Sequence, residues 1–235
     1  MFMDSIRRGA KKHRTVMLIV VIILCLGLVA GFAIGGGLSG GTQPTLAEQI
    51  AAYESVIAST REDLAKKPND YSLLTQLADY LLTVTDYYNQ NNEPDKAVLA
   101  AADAITNLDA AIANAPEGLN DKGQALLLAK KASAQNICNN MEEADALFKQ
   151  AMATAPDFWT VEAVYLNFIW QREGIGKALE YAKTRTSAYA EGTNERTQLN
   201  SYIDLFEQLE ALLNQATVNQ DSTAPSSAPT SAPAQ

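Results

Sequence analysis

Residues 142–156 read EEADALFKQAMATAP. Ala144, Phe148 and Ala151 fall at i, i+4 and i+7, one stripe of an α-helix. Two small residues beside a large one let a second helix approach closely while the phenyl ring fills the gap. Pro156 then stops the helix, because it has no N–H and disfavours helical geometry in the residue before it. One match decides little, and recurrence decides more. Ala104, Leu108, Ala111 and Pro116 repeat the spacing with Leu in place of Phe. Ala178 lies 34 residues beyond Ala144, in the run GIGKALEYA (174–182). The interval from Ala104 to Ala144 is 40 residues, so one connection is longer.

The pattern A-x3-F-x2-A-x4-P resembles the second-helix signature of the tetratricopeptide repeat, a 34-residue helical hairpin unit. Leu74, Leu77, Ala78 and Leu81 resemble its first-helix half, with Ala78 where the two helices of a repeat cross closely. This first copy departs from the pattern, since its second helix arrives about 14 residues late. Tyr87 to Pro94 is then a longer turn or extra helical turns. The first helix is expected to reach about Gln90, with Pro94 in the first turn of the next.

The chain of 235 residues, net charge −9 and 19% charged, is long enough for one sizeable domain plus appendages. Its charge is uneven. Residues 1–14 hold Arg7, Arg8, Lys11, Lys12 and Arg14 against Asp4 alone, so the remainder carries −13. Val16 to Ile34 is an unbroken run of 19 apolar or glycine residues, the core of a span set at 15–36. It would reach about 28 Å as a helix, close to the hydrocarbon thickness of a bilayer. A cleavable signal peptide is the rival, because Gly31-Phe32-Ala33 loosely fits a small-x-small cleavage site. The apolar run, however, exceeds the usual length of such a signal. Lipid attachment at Cys25 is disfavoured by the bulky Leu24 before it. The basic flank places residues 1–14 in the cytoplasm and the following domain across the membrane. A glycine-rich tether, 37–44, comes next.

The helical domain is set at 45–217. Thr45 and Glu48 form a capping box that starts a helix at Leu46. Ile50, Tyr53, Ile57 and Leu64 follow at helical spacing, and the helix ends at Lys66-Lys67-Pro68. Asn120-Asp121 caps another helix, with Leu126, Leu128, Ala132 and Ile137 as its apolar residues. A third pair is expected at Trp159–Arg172 and Gly176–Ala188. A last helix, Asn194 to about Gln215, carries Leu199, Tyr202, Phe206, Leu209 and Leu213 on one face and suits a terminal cap. The tail 218–235 has no large apolar residue beyond Val218 and is expected to be disordered.

Chemistry is sparse. The one histidine, His13, lies on the basic flank, so neither a histidine-based triad nor a histidine zinc site fits the main domain. Cys138 has no partner for an internal disulfide there and reads as a small buried residue near a helix end. The carboxylate pairs Glu142/Glu143 and Glu207/Glu210 read as solvated charge. The glycines lack a following GK[ST] and a preceding strand. An acidic domain without basic clusters is a poor nucleic-acid binder. No catalytic residue, cofactor or metal is expected, and the chain is not expected to be an enzyme.

The expected fold is all-α: a helical-hairpin repeat solenoid, with about three helical pairs, a leading helix and a cap, behind a single transmembrane helix. The resemblance, to membrane-anchored tetratricopeptide proteins of bacterial type, implies a protein or peptide partner held by the first helix of each pair. Its groove positions fall on Thr75 and Asp79, on Ser133 and Asn136, and on Asn167, Trp170 and Gln171. Trp170 is the expected anchor. Lys130 and Lys131 are expected to face away from the groove or into the packing. An internal or helical partner segment, neutral or basic with apolar anchors, follows from that charge. A secreted binding module remains the alternative, and an enzyme is a third class that the missing histidine counts against. Neither the partner's identity nor an oligomeric state is legible.

Overall fold

The computed structural model describes residues 44–221, with side chains described to residue 214. The basic flank, the apolar span, the tether to residue 43 and the tail from residue 222 lie outside the described residues. Among the described residues every regular element is helical, and no helix is long and apolar enough to cross a membrane.

The leading helix α1 is Leu46–Lys66, followed by α2 Tyr71–Gln90 and α3 Pro94–Ala113. The second pair is α4 Asp121–Ile137 and α5 Met141–Thr154, and the third is α6 Trp159–Glu173 and α7 Ile175–Arg185. A 3-10 turn, Thr186–Ala188, leads to α8, Asn194–Asp221. The three hairpins α2/α3, α4/α5 and α6/α7 stack in chain order between α1 and α8. The last helix runs past the expected end at Gln215 and four residues into the stretch read as tail, 218–221. The second helix of the third pair ends sooner than expected, at Arg185, with the 3-10 turn taking the rest.

Local chemistry starts these helices where their sequences direct. The Thr45 N–H donates to Glu48 at 2.7 Å and the Glu48 N–H donates to Thr45 Oγ1 at 3.2 Å, closing the capping box. Asp70 accepts from the N–H groups of Ser72 and Leu73, and Asn120 accepts from Gly123. Pro94 occupies the first turn of α3, where its missing N–H costs nothing.

Small residues line the hairpin contacts. Ala97, Ala101 and Ala104 of α3, Ala144 and Ala151 of α5, and Ala178 and Ala182 of α7 are all buried. Phe148 fills the space that its alanine neighbours leave, packing on Tyr165 and Phe168 with ring centroids 5.4 and 5.2 Å away. Burial of such a side chain stabilises by about 1.5–3 kcal/mol. At the far end Phe206 of α8 is fully buried against Tyr202 and Trp170, so α8 covers the last pair.

The turns set the repeat register. Among the described residues, Asn92 and Asn139 are the two non-glycine residues of positive φ, at 58° and 62°. After each, the next N–H bonds the carbonyl five residues back: Glu93 to Tyr88 at 2.8 Å, and Asn140 to Gln135 at 2.9 Å. These are the paired bonds of a helix ended by a left-handed residue. They make Ala97 the counterpart of Ala144, 47 residues on, and Ala101 the counterpart of Phe148. Ala104 is therefore the counterpart of Ala151 and not of Ala144. The α3 stripe repeats every seven residues, so Ala104, Leu108 and Ala111 match the signature equally well one step along. The late second helix of this copy arises from extra helical turns in α2, not from a longer loop.

Three apolar assignments differ from expectation. In α4 the buried face is Ala125, Leu127, Ala129, Ala132 and Ala134, while Leu126, Leu128 and Ile137 are half-buried. This helix packs on α3, α5 and α6 together, so it has no single apolar stripe. Leu213 is 45% exposed, because α8 outruns the short α7 that it covers. Cys138 is half-buried at the end of α4, and burial raises the pKa of its thiol.

Candidate groove on the first helices

The first helices of the pairs, α2, α4 and α6, together wall a cavity of about 490 Å³. α4 packs on α6, and Lys130 of α4 reaches Asp79 of α2, so side chains of the three helices converge on one concavity. Leu82, Leu126, Val164 and Phe168 give it apolar surface. Asp86, Asn89, Lys130, Ser133, Asn136, Asn167 and Gln171 give it polar surface.

Four residues expected at the groove line it: Ser133, Asn136, Asn167 and Gln171. Asn136 donates to Gln171 Oε1 at 3.4 Å, linking α4 to α6 across the wall. The Ser133 hydroxyl donates to the Ala129 carbonyl and the Asn167 amide to that of Ala163, both on their own helices. Asp79 stands at the edge, where it pairs with Lys130 at 2.6 Å. Thr75 does not line the cavity, and its hydroxyl donates to the carbonyls of Tyr71 and Ser72. Trp170 does not line it either. Its half-buried indole packs edge-on against Phe206 at 5.6 Å, so the terminal helix takes the surface expected for a partner.

Lys130 corrects another expectation, for it lines the cavity instead of facing away. Lys131 faces the packing, paired with Asp109 of α3 at 2.7 Å. Gln135 is buried and accepts from the Asn140 amide at 2.7 Å. Lys131 thus ties α4 to α3, and Gln135 ties α4 to the turn that follows it.

Asp86 and Asn89 are the residues that sequence reasoning missed. With the 47-residue register of the turns, Asp86 is the counterpart of Ser133 and Asn89 that of Asn136. The signal was present in the paired asparagines Asn92 and Asn139. The first-helix signature at Leu74, Leu77, Ala78 and Leu81 sets the register nearer the start of α2, and that register gives Thr75 and Asp79. The Asp86 side chain is open to water, yet the surrounding concave wall raises its pKa by desolvation. Among the described residues no cation or donor pairs with it.

A second polar centre is structural. Glu162 of α6 is fully buried, accepting from Arg185 Nε at 2.8 Å and from the Tyr189 hydroxyl at 2.5 Å. Arg185 also donates to the Pro156 carbonyl at 2.6 Å. These bonds tie the end of α7 back to the start of α6.

No family model and no curated protein matches the chain. Among solved structures, the crystal structure of MamA aligns over 74% of this chain and 99% of that chain. The identity is 14% and the TM-score 0.41, a likeness too loose to bear on function.

Proposed function

We propose that this chain is a membrane-anchored interaction module, a scaffold or assembly factor whose groove holds a protein segment on the extracytoplasmic side. The observation that carries the binding reading is the concavity walled by α2, α4 and α6. There amide and hydroxyl groups alternate with apolar side chains. Asparagine and glutamine both donate and accept, so they suit the mixed groups of a peptide backbone. The anchor and the orientation rest on the basic flank and the apolar run of the sequence.

A photo-crosslinking residue placed at Asn136 or Asn167 in cells tests the binding reading. A discrete adduct from both positions, absent when the residue is placed at exposed Glu180 on α7, is expected. Equal labelling from all three would remove the groove. Protease added to intact spheroplasts should degrade the chain beyond about residue 40 while it stays with the membrane fraction. Its recovery in the medium would support the secreted alternative.

A further inference from the structure

We propose that Asp86 makes the groove selective for an extended peptide segment that places a basic side chain against it. This inference rests on the peptide-binding reading and deepens it. Two charged side chains line the cavity, Asp86 and Lys130. Lys130 is already neutralised by Asp79 at 2.6 Å. Asp86 has no such partner among the described residues, so the groove presents one uncompensated negative charge. Charge complementarity therefore selects a cation from the partner.

The surroundings select what carries that cation. Leu82 adjoins Asp86 one turn earlier on α2, and Leu126 and Val164 face the same space, so apolar flanking residues are accommodated. Asn136 and Gln171, already bonded to each other at 3.4 Å, offer further donors and acceptors for the segment's backbone. A cavity of about 490 Å³ has room for a few side chains and not for the face of a folded domain. A carboxylate set in a concave wall is screened less by solvent than one on a convex surface, so it gains more from a cation. An acidic segment would meet repulsion at the same place.

The test uses the full-length chain in mild detergent and immobilised short peptides of mixed Ala, Leu, Ser and Asn. Their central residue is fixed as arginine, lysine, norleucine or glutamate. Central arginine or lysine should be retained at least about tenfold better than glutamate, with norleucine between. Asp86→Asn, checked for an unchanged far-ultraviolet spectrum and melting temperature, should erase that preference. Asp157→Asn, in the exposed turn before α6, should keep it. Retention of every set without preference would overturn the role of Asp86 and leave the groove standing. A preference that survives Asp86→Asn would do the same. Retention of none would sink the peptide-binding reading as well. Competition by N-acetylargininamide as strong as by the whole peptide would assign the site to a small cation and overturn the proposal.

Discussion

Asn92 and Asn139 hold the same place in successive helical pairs, each with left-handed backbone and each followed by a residue bonded five positions back. One local device thus ends α2 and α4 and turns the chain into α3 and α5. Asparagine tolerates this conformation better than other residues with a Cβ, and glycine tolerates it best. Asn92→Ala and Asn139→Ala should each lower stability by about 1 kcal/mol. The glycine variants should match or exceed wild type. Urea denaturation measures both, and indifference to alanine would show that the turns do not constrain the pairs.

The alanine stripe makes a steric prediction. Ala144 is fully buried at the α4/α5 contact, whereas Ala153 on the same helix is exposed. Ala144→Leu should overpack the hairpin and destabilise by about 1–3 kcal/mol, and Ala153→Leu should change little. Equal unfolding midpoints for both variants would contradict close helix approach.

The Glu162–Arg185 pair makes an electrostatic one. Removing the guanidinium leaves a fully buried carboxylate with the Tyr189 hydroxyl as its remaining side-chain donor. Arg185→Met should cost about 3 kcal/mol. Adding Glu162→Gln should recover part of that loss, because the stranded charge is then gone. A double variant as unstable as the sum of the singles would show that charge is not the cause. Denaturant titration of the four proteins of this cycle gives the coupling directly.

Asp145 supplies a pH dependence. Burial alone would raise its carboxyl pKa, but hydrogen bonds from Lys149 at 2.7 Å and Tyr165 at 2.9 Å outweigh that and lower it. Arg172 adds to the same effect. A carboxyl depressed by folding contributes stability above its unfolded value of about 3.9, and that contribution is lost as pH falls through the folded value. The stability gap between wild type and Asp145→Asn should therefore be full at neutral pH and shrink in acid. A gap that stays constant from neutral pH into the acid range would assign the effect to packing.

The groove was half legible for a reason that particular residues expose. Ser133, Asn136, Asn167 and Gln171 lie in the two pairs where the 34-residue spacing holds, and there every expected position but Trp170 faces the cavity. Thr75 falls outside the groove because the first pair has longer helices, so the signature at Leu74, Leu77, Ala78 and Leu81 lies too near the start of α2. Trp170 falls short as an exposed anchor because Phe206, 36 residues later, returns to cover its ring, a contact that no local pattern in the sequence shows.

What the sequence determined by itself is local: where helices start and stop, and which residues are small enough for close pairing. Capping side chains, prolines and a seven-residue stripe of alanines act within a few positions of where they stand, so they are visible in the linear text. What only the tertiary structure decided is register. A stripe that repeats every seven residues is unchanged by a shift of seven, so Ala97 and Ala104 are equivalent candidates until the backbone turn at Asn92 selects one. That choice moves the groove position from Asp79 to Asp86. It leaves Asp79 to neutralise Lys130 and Asp86 as the carboxylate that meets no partner among the described residues. The physical reason is that helical periodicity specifies a face, while only the turn specifies which point along that face comes opposite the next helix.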